Sequence, residues 1–301
     1  MKRVAIIVLN WNQPELTYEC VNSLLGIDYN DFIVIVVDNG SNIDKYRKLR
    51  KLIEENEIVK IVRSENNLLY AGGNNFGYQF ARQFDPDYVL FLNNDTIVDR
   101  QFLRKLVDLM DKHNEVGVVG PKIYYSEKPD TIWHAGGYVN FLTGKIAHYG
   151  IRKKDSEKWN EIREVDFVSG CALLIRNEIF DRLGGFDKSY GLYSEDVDLC
   201  YRVKRMGYKV YYMPEARIWH KISHSTGGYI NELKVKSKFI SNLKFFKKYA
   251  RKLGFSLIII FMFIQGFWYL LRALLSLDFK TVKSLIKGVK LITINRGKNE
   301  V

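Results

Sequence analysis

Four short β-rich runs, Val4 to Leu9, Ile33 to Val37, Ile58 to Val62 and Tyr88 to Leu92, alternate with stretches of helical spacing. This patterning leaves few folds open, because strands buried on both faces need helices above and below them. It predicts a parallel sheet with helices on both faces. Leu16, Cys20, Leu24 and Leu25 form one helical stripe, and Phe102, Leu106 and Met110 another. In open sheets of this kind, ligands bind beyond the carboxyl ends of the strands. The first strand runs into Asn10-Trp11-Asn12, the second into Asp38-Asn39-Gly40-Ser41 and the fourth into Asn93-Asn94-Asp95-Thr96, so three polar clusters are expected on one rim.

The region from about 121 to 165 is less regular, with Gly136-Gly137, Gly144 and a charged run Arg152-Lys153-Lys154-Asp155, and reads as hairpins and a flexible loop. Phe167 to Ile175 is a further strand. Glu195 to Met206 is a helix with Leu199, Val203 and Met206 on one face, and after Gly207 comes a strand from Tyr208 to Met213. From Asn231 to Leu253 the chain reads as a long basic helix. Phe255 to Leu271 is 17 residues with Gln265 as the one strongly polar member. As a helix it would reach about 26 Å, just short of a hydrocarbon core of about 30 Å, so spanning and lying in the interface both stay open. Lysines and arginines flank it on both sides, which gives no orientation. Lys280, Lys283, Lys287 and Lys290 recur opposite Val282, Leu285, Ile286 and Val289, as in a basic amphipathic helix on anionic lipid. A buried homo-oligomer interface is the competing reading of the same apolar surface.

The net charge of +12 invites a nucleic-acid reading, and its placement removes it. Residues 1–228 carry 31 Lys+Arg and 31 Asp+Glu, and residues 229–301 carry 15 and 3, so the whole excess sits in the last quarter. A neutral head on a basic, apolar foot suits a membrane surface and not a nucleic acid. Hence 1–228 is expected to be the catalytic domain and 229–301 a helical membrane-associating region. Cys20, Cys171 and Cys200 have no C-x-x-C spacing and form no even-numbered framework, which excludes a disulfide scaffold and a zinc site and fits a reducing compartment. The amino terminus enters a strand too short for a signal-peptide core. The expected place is the cytoplasmic face of the cell membrane.

A carboxylate ending a buried strand, Asp95, can hold a divalent cation against a diphosphate, and a second one elsewhere can take a proton from an attacking hydroxyl. Together they point to group transfer from an activated nucleotide. Asp95 or Thr96 could equally cap a helix. Glu195, Asp196 and Asp198 all stand at a helix start, where the dipole favours the ionised form, and composition does not separate them. Asp38 could meet the N3–H of uracil or thymine, or simply cap an Asx turn. His220 and His224 follow Pro214, and a neutral imidazole can bind a metal or simply donate a hydrogen bond. The glycines of Ala71-Gly72-Gly73-Asn74 permit close backbone approach at a helix start. Trp133 and Tyr193 could stack on a sugar or belong to the core. Arg202 could pair with a phosphate or with Asp198 at i+4.

Seven motifs in order carry a resemblance: Val8-Leu9-Asn10-Trp11-Asn12, Val37-Asp38-Asn39-Gly40-Ser41, Ala71-Gly72-Gly73-Asn74-Asn75-Phe76-Gly77, Leu92-Asn93-Asn94-Asp95-Thr96, Ser169-Gly170-Cys171-Ala172, Gly184-Gly185-Phe186-Asp187 and Glu195-Asp196-Val197-Asp198-Leu199. Over residues 4 to about 228 the chain resembles family 2 inverting glycosyltransferases of the GT-A fold, a group that includes rhamnosyltransferases of surface-polysaccharide assembly. The resemblance implies a mostly parallel α/β sheet flanked by helices. It implies Asp196 as general base and Mn²⁺ or Mg²⁺ held by Asp95 and His220. It implies a UDP- or dTDP-sugar donor bound by Asn10, Asn12, Asp38, Asn67, Gly72, Gly73, Asn74, Asn93 and Asn94. Trp133, Tyr193 and Glu195 fall on the acceptor side, where a glycan, on a polyprenyl or other lipid carrier, is the implied partner. Two departures stand out: Asn93 replaces the first carboxylate of Asp-x-Asp, and Leu69 stands where glycine commonly precedes the aromatic. The alternatives are a sugar-phosphate nucleotidyltransferase, whose glycine-rich phosphate loop the first strand lacks, and a non-catalytic glycan-binding scaffold on the membrane.

Overall fold

The computed structural model describes residues 2–221 and 232–275. His224 and the amphipathic run around Lys280 to Lys290 lie outside the described residues. The chain proceeds as β1 (Val4–Asn10), α1 (Pro14–Leu25), β2 (Phe32–Asn39), α2 (Ile43–Leu52), β3 (Val59–Ser64), α3 (Leu69–Ala81), β4 (Tyr88–Asn93), β5 (Thr96–Val98) and α4 (Phe102–Lys112). Then come β6 (Val116–Tyr125), β7 (Lys128–His134), β8 (Gly137–Asn140), β9 (Lys145–His148), β10 (Lys153–Lys154), β11 (Arg163–Glu164), β12 (Ala172–Arg176) and α5 (Asn177–Arg182). α6 (Glu195–Arg205), β13 (Lys209–His220), α7 (Glu232–Tyr249) and α8 (Lys252–Leu275) complete it.

The first half follows the sequence pattern closely. β3, β2, β1 and β4 lie side by side and parallel. Alternate β1 residues serve opposite faces: Val4, Ile6 and Val8 join the cluster that holds Cys20 and Leu24 of α1 and Phe102, Leu106 and Met110 of α4. Ile7 and Leu9 point the other way, to α3. There a Cβ on Gly73 would fall 2.5 Å from Leu9, and one on Gly77 2.6 Å from Val37 and 2.8 Å from Ile7. Two glycines four apart let α3 lie directly on the strands, and larger side chains would lift it off. On α1 the buried stripe is Thr17, Cys20, Val21 and Leu24, while Leu25 is exposed.

The second half corrects the expectation of a mostly parallel sheet. β12 runs antiparallel to both neighbours, β4 and β6, and β7 and β10 extend the edge antiparallel, so the sheet is mixed. The expected strand from Phe167 shrinks to Ala172–Arg176 because Ser169 and Cys171 fold the chain into a turn: Ala172 N–H donates to Ser169 O, and Cys171 N–H to Ser169 Oγ. The expected strand ending at Met213 instead runs on to His220. It passes Pro214 through a register shift between Met213 and Arg217 and then pairs with Thr96–Val98. Arg152 to Asp155 is not a flexible loop. Lys153–Lys154 forms β10, and Asp155 accepts from the buried Lys122 Nζ at 2.9 and 3.0 Å.

The described residues cluster into two compact units, one comprising residues 2–138, 148–189 and 195–221, the other 139–147, 190–194 and 232–275. The first holds the large sheet. In the second, Phe141 stacks with Phe245 and Phe246, Ser194 Oγ donates to Asn242 Oδ1 and Ser241 Oγ to Leu192 O. The single long basic helix expected over Asn231 to Leu253 is two helices, broken at Ala250-Arg251. Among the described residues no helix is long and apolar enough to cross a membrane.

Candidate active site

The carboxyl ends of β1, β2 and β4 form the expected rim, with Asn10 opposite Asp38 and Leu9 opposite Asn93. A buried polar chain ties them together. Asn10 Nδ2 donates to Asp38 Oδ1 at 2.8 Å, Thr17 Oγ1 donates to Asn10 Oδ1 at 2.9 Å, and Asn94 Nδ2 donates to Thr17 Oγ1 at 2.9 Å. Satisfied buried groups of this kind fix the geometry of what they hold. What they hold is Asp38, fully buried, whose second oxygen Oδ2 has no hydrogen-bond partner and lies 3.6 Å from Arg63 Nε. An orphaned buried carboxylate oxygen costs stability unless a ligand donor meets it. Asn12 and Asn94 each give one side-chain atom to the rim itself: Asn12 Oδ1 accepts from Asn42 N–H, and Asn94 Nδ2 donates to Thr17 and Gln13. They build the rim's loops.

Asn39 and Asn67 shape the entry to α3. Asn39 Oδ1 accepts from Leu68 N–H at 2.9 Å, its Nδ2 donates to Asn67 Oδ1 and Leu69 O, and Asn67 Oδ1 also accepts from Leu69 N–H. Leu69, at the position noted for its missing glycine, sits at φ 59°. The backbone keeps the left-handed conformation that glycine would adopt freely, and leucine bears the strain. Gly73 serves helix-to-sheet contact, Gly72 lies against Leu68, and Asn74 Nδ2 donates back to Tyr70 O one turn earlier in its own helix.

Asp95 follows β4 and is 2% exposed, with neither carboxylate oxygen hydrogen-bonded. Register places it beside His220 at the end of β13, and His220 Nε2 stands 3.0 Å from Asp95 Oδ1 while Nδ1 has no partner. Two adjacent ligands of an octahedral ion with bonds of about 2.1 Å stand about 3.0 Å apart, so the pair fits Mg²⁺ or Mn²⁺. No third His, Cys, Asp or Glu joins them among the described residues. That suits an ion whose other positions go to water and donor phosphate. Trp133 packs edge-on against the His220 ring at 4.7 Å, which makes it a brace for the histidine.

Of the three carboxylates at the start of α6, the structure separates one at once. Asp198 is fully buried and bonded to Arg202 Nε at 2.7 Å, and Arg202 also donates to Leu183 O and Gly185 O, so this pair fastens α6 to the Gly184-Gly185 turn. Asp196 faces the Ser169-Gly170-Cys171 turn: its Oδ2 accepts from Gly170 N–H at 2.8 Å and its Oδ1 from Val197 N–H at 2.8 Å. Burial pushes its pKa up while those N–H groups pull it down, and the first effect wins. Glu195 is also raised, by burial and by the neighbouring Asp196, and its Oε2 is buried without a partner. Tyr193 and Ser194, just before it, have φ 73° and 66°, a rarely populated conformation in two successive residues. The Ser169-Gly170-Cys171 turn bonds Asp196 at Gly170 and lies against the end of β4, two residues before Asp95. Asn93 N–H donates to Cys171 O at 2.9 Å, joining the turn to β4.

A family model described as "Glycosyltransferase like family 2" matches residues 2–236. The chain belongs to that family. It is 30% identical over 231 residues to the O-antigen biosynthesis protein RfbC of Myxococcus xanthus, a match covering 74% of this chain and 18% of that protein. It is 45% identical over 65 residues, 22% of this chain and 21% of the relative, to the N-acetylglucosaminyl-diphospho-decaprenol L-rhamnosyltransferase of Mycobacterium tuberculosis. The chain thus spans a small part of the length of these relatives. Among solved structures it resembles the mannosyltransferase PcManGT of Pyrobaculum calidifontis in complex with GDP-Man and Mn²⁺, with TM-score 0.60 and 14% identity over 100% of this chain and 76% of that one. That likeness shows a GT-A-like α/β fold with a mixed central sheet.

Four residues beside the candidate site are not singled out by the motif reading. Tyr70 donates its hydroxyl to Gly170 O, and Gly170 is wedged so tightly that an added Cβ would lie 2.7 Å from Tyr70 Oη and 3.4 Å from Asp196 Cβ. Asn75 clamps the Gly184-Gly185 turn by donating to Phe186 O and accepting from Phe186 N–H. Trp11 is 47% exposed beside Asn10, an apolar face at the rim. Three of the four stand inside quoted motifs. Tyr70 does not, and only its contact with residue 170 reveals it.

Proposed function

We propose that this chain is a metal-dependent inverting glycosyltransferase that moves a hexose or deoxyhexose from a UDP- or dTDP-sugar to a glycan carried on a polyprenyl or related lipid. The carrying observation is a pair of differently prepared carboxylates near one turn: Asp95, with both oxygens unmet and His220 at 3.0 Å, and Asp196, with both oxygens on backbone N–H groups. The first suits a cation and the second a proton.

Asp38 Oδ2 offers an acceptor to the N3–H of a uracil or thymine, and exposed Trp11 an apolar face for the ring. Asp95 and His220 would hold Mg²⁺ or Mn²⁺, which supplies positive charge to the departing diphosphate. Asp196 takes the proton of the acceptor hydroxyl as its oxygen bonds to the anomeric carbon and the bond from that carbon to the diphosphate oxygen breaks. A single displacement from the opposite face inverts the carbon. Gly170 N–H and Val197 N–H each occupy one lone pair per oxygen and leave others for the hydroxyl. Burial raises the basicity of Asp196, and the start of α6 favours its ionised form.

The foot supports a lipid-borne acceptor. Leu257, Ile260, Phe261, Ile264, Phe267 and Trp268 recur every three or four residues along α8, all exposed, and Lys247, Lys248 and Arg251 precede them. Such a stripe suits a helix lying in the interface of an anionic membrane, on the cytoplasmic face. A panel of UDP-, dTDP- and GDP-sugars with lipid extract as acceptor, read by nucleoside-diphosphate release and by the anomeric configuration of the product, tests the reading. Release with inversion supports it; retention, or no release with any donor, overturns it.

A further inference from the structure

We propose that His134 is a positioning residue for the general base, acting through the backbone N–H of Ser169, one peptide before the Gly170 N–H; the proposal rests on the reading of Asp196 as that base. His134 ends β7, is fully buried, and lies among Trp133, His148 and Phe167. Its Nε2 accepts from Ser169 N–H at 3.1 Å, and its Nδ1 stands 2.8 Å from His148 Nδ1. An accepting Nε2 carries no proton, so the neutral ring holds its proton on Nδ1 and donates it to His148, whose own proton is then on Nε2. Burial pushes the pKa of His134 well below its ordinary value, which keeps Nε2 available as an acceptor.

Ser169 is the hinge of the turn that Asp196 faces. Its N–H is held by His134, its O accepts from Ala172 N–H and its Oγ from Cys171 N–H. The next residue, Gly170, gives its N–H to Asp196 and receives the Tyr70 hydroxyl on its carbonyl. His134 therefore fixes the Val168–Ser169 peptide at the start of the turn, and only the two Ser169 dihedrals separate that peptide from the one whose Gly170 N–H is aimed at the base. With the imidazole gone, a buried N–H loses its acceptor, and the turn can recover it only by rotating toward another, which takes the Gly170 N–H off Asp196.

The test compares His134→Leu with His134→Gln in the full chain, because glutamine brings an amide oxygen to the position of Nε2. Steady-state kcat and donor KM are measured, together with hydrogen exchange at the Gly170 amide. In His134→Leu, kcat is expected to fall on the order of 10-fold with donor KM changed less than about 2-fold, and Gly170 exchange to accelerate on the order of 10-fold. His134→Gln is expected to restore most of both. If His134→Leu does not fold, His134→Asn replaces it, since the shorter amide cannot reach Ser169. Unchanged exchange at Gly170, equal losses in kcat and in donor affinity, or a glutamine variant no better than leucine each overturns the proposal. The exchange arm needs no turnover, so an absence of transferase activity in the unaltered chain would sink the functional reading and still leave the positioning claim decided.

Discussion

Replacing Arg202 by methionine separates the acidic residue that holds the fold from the one that does chemistry. Methionine keeps much of the packing stem and removes the guanidinium, which takes away the bond to Asp198 and those to Leu183 O and Gly185 O. Breaking a buried ion pair from one side costs roughly 3 to 5 kcal/mol. Arg202 is 17% exposed, and solvent can reach part of the vacated space, which puts the expected cost near the lower end. At about 2 to 4 °C per kcal/mol for a domain of this size, a loss of about 3 kcal/mol lowers the unfolding midpoint by about 6 to 12 °C. Differential scanning calorimetry reads the midpoint, and turnover is measured well below it. The double variant Arg202→Met, Asp198→Leu removes the stranded charge and should recover part of the loss. Asp198→Asn should behave like a stability variant, with kcat at low temperature within about 3-fold of normal, because its buried oxygen still has Arg202 to accept from. A midpoint unchanged in Arg202→Met, or loss of turnover in a folded Asp198→Asn, refutes the assignment of Asp198 to structure.

Other expectations follow from the same site. Since burial raises the Asp196 carboxyl, the base loses its ionised form as pH falls through a value above that of an ordinary aspartate; kcat should decline there, and Asp196→Asn should lower turnover on the order of 10²-fold or more. A pH profile that stays flat down to pH 4 contradicts this. His220→Gln should weaken Mn²⁺ binding on the order of 10-fold while the sheet stays intact; calorimetric titration in the presence of donor shows it. Leu69→Gly should raise the unfolding midpoint by about 1 to 3 °C, because relief of about 1 to 2 kcal/mol of left-handed strain outweighs glycine's smaller entropic cost, whereas Leu69→Val should lower it. A lower midpoint for the glycine variant would show that the loop is not strained.

β1, β2 and β4 are legible in the sequence because each is a continuous apolar run closed by polar residues, β3 because its apolar residues continue on both sides of Lys60, and the shared rim of β1, β2 and β4 follows from topology. β12 was misjudged in extent, since nothing in Phe167 to Cys171 announces that Ser169 uses both its carbonyl and its hydroxyl to turn the chain. Pro214 hid the length of β13: the register shift beside it lets the strand continue, and only strand pairing shows that His220 lies next to Thr96. Motif reading names Asp38, Asp95, Asp196 and His220 together with Asn12 and Asn94; of the last two, Asn12 Oδ1 accepts from Asn42 N–H and Asn94 Nδ2 donates to Thr17, contacts the motifs do not show. Residue type tells which side chains can bind a ligand and not which have already spent their hydrogen bonds on neighbours. Tyr70 and His134 escaped because they act on a backbone peptide far away in sequence, a contact that leaves no local pattern.

The central claim is a division of labour, with Asp95 serving the metal and donor and Asp196 serving the proton. Calorimetric titration of the donor nucleoside diphosphate, with and without Mn²⁺, into the unaltered chain, Asp95→Asn and Asp196→Asn tests it directly. The account predicts metal-dependent binding that Asp196→Asn retains within about 2-fold and Asp95→Asn loses by 10-fold or more, on the order expected for a lost metal ligand or its support. Equal binding by all three proteins, or a loss confined to Asp196→Asn, would contradict it.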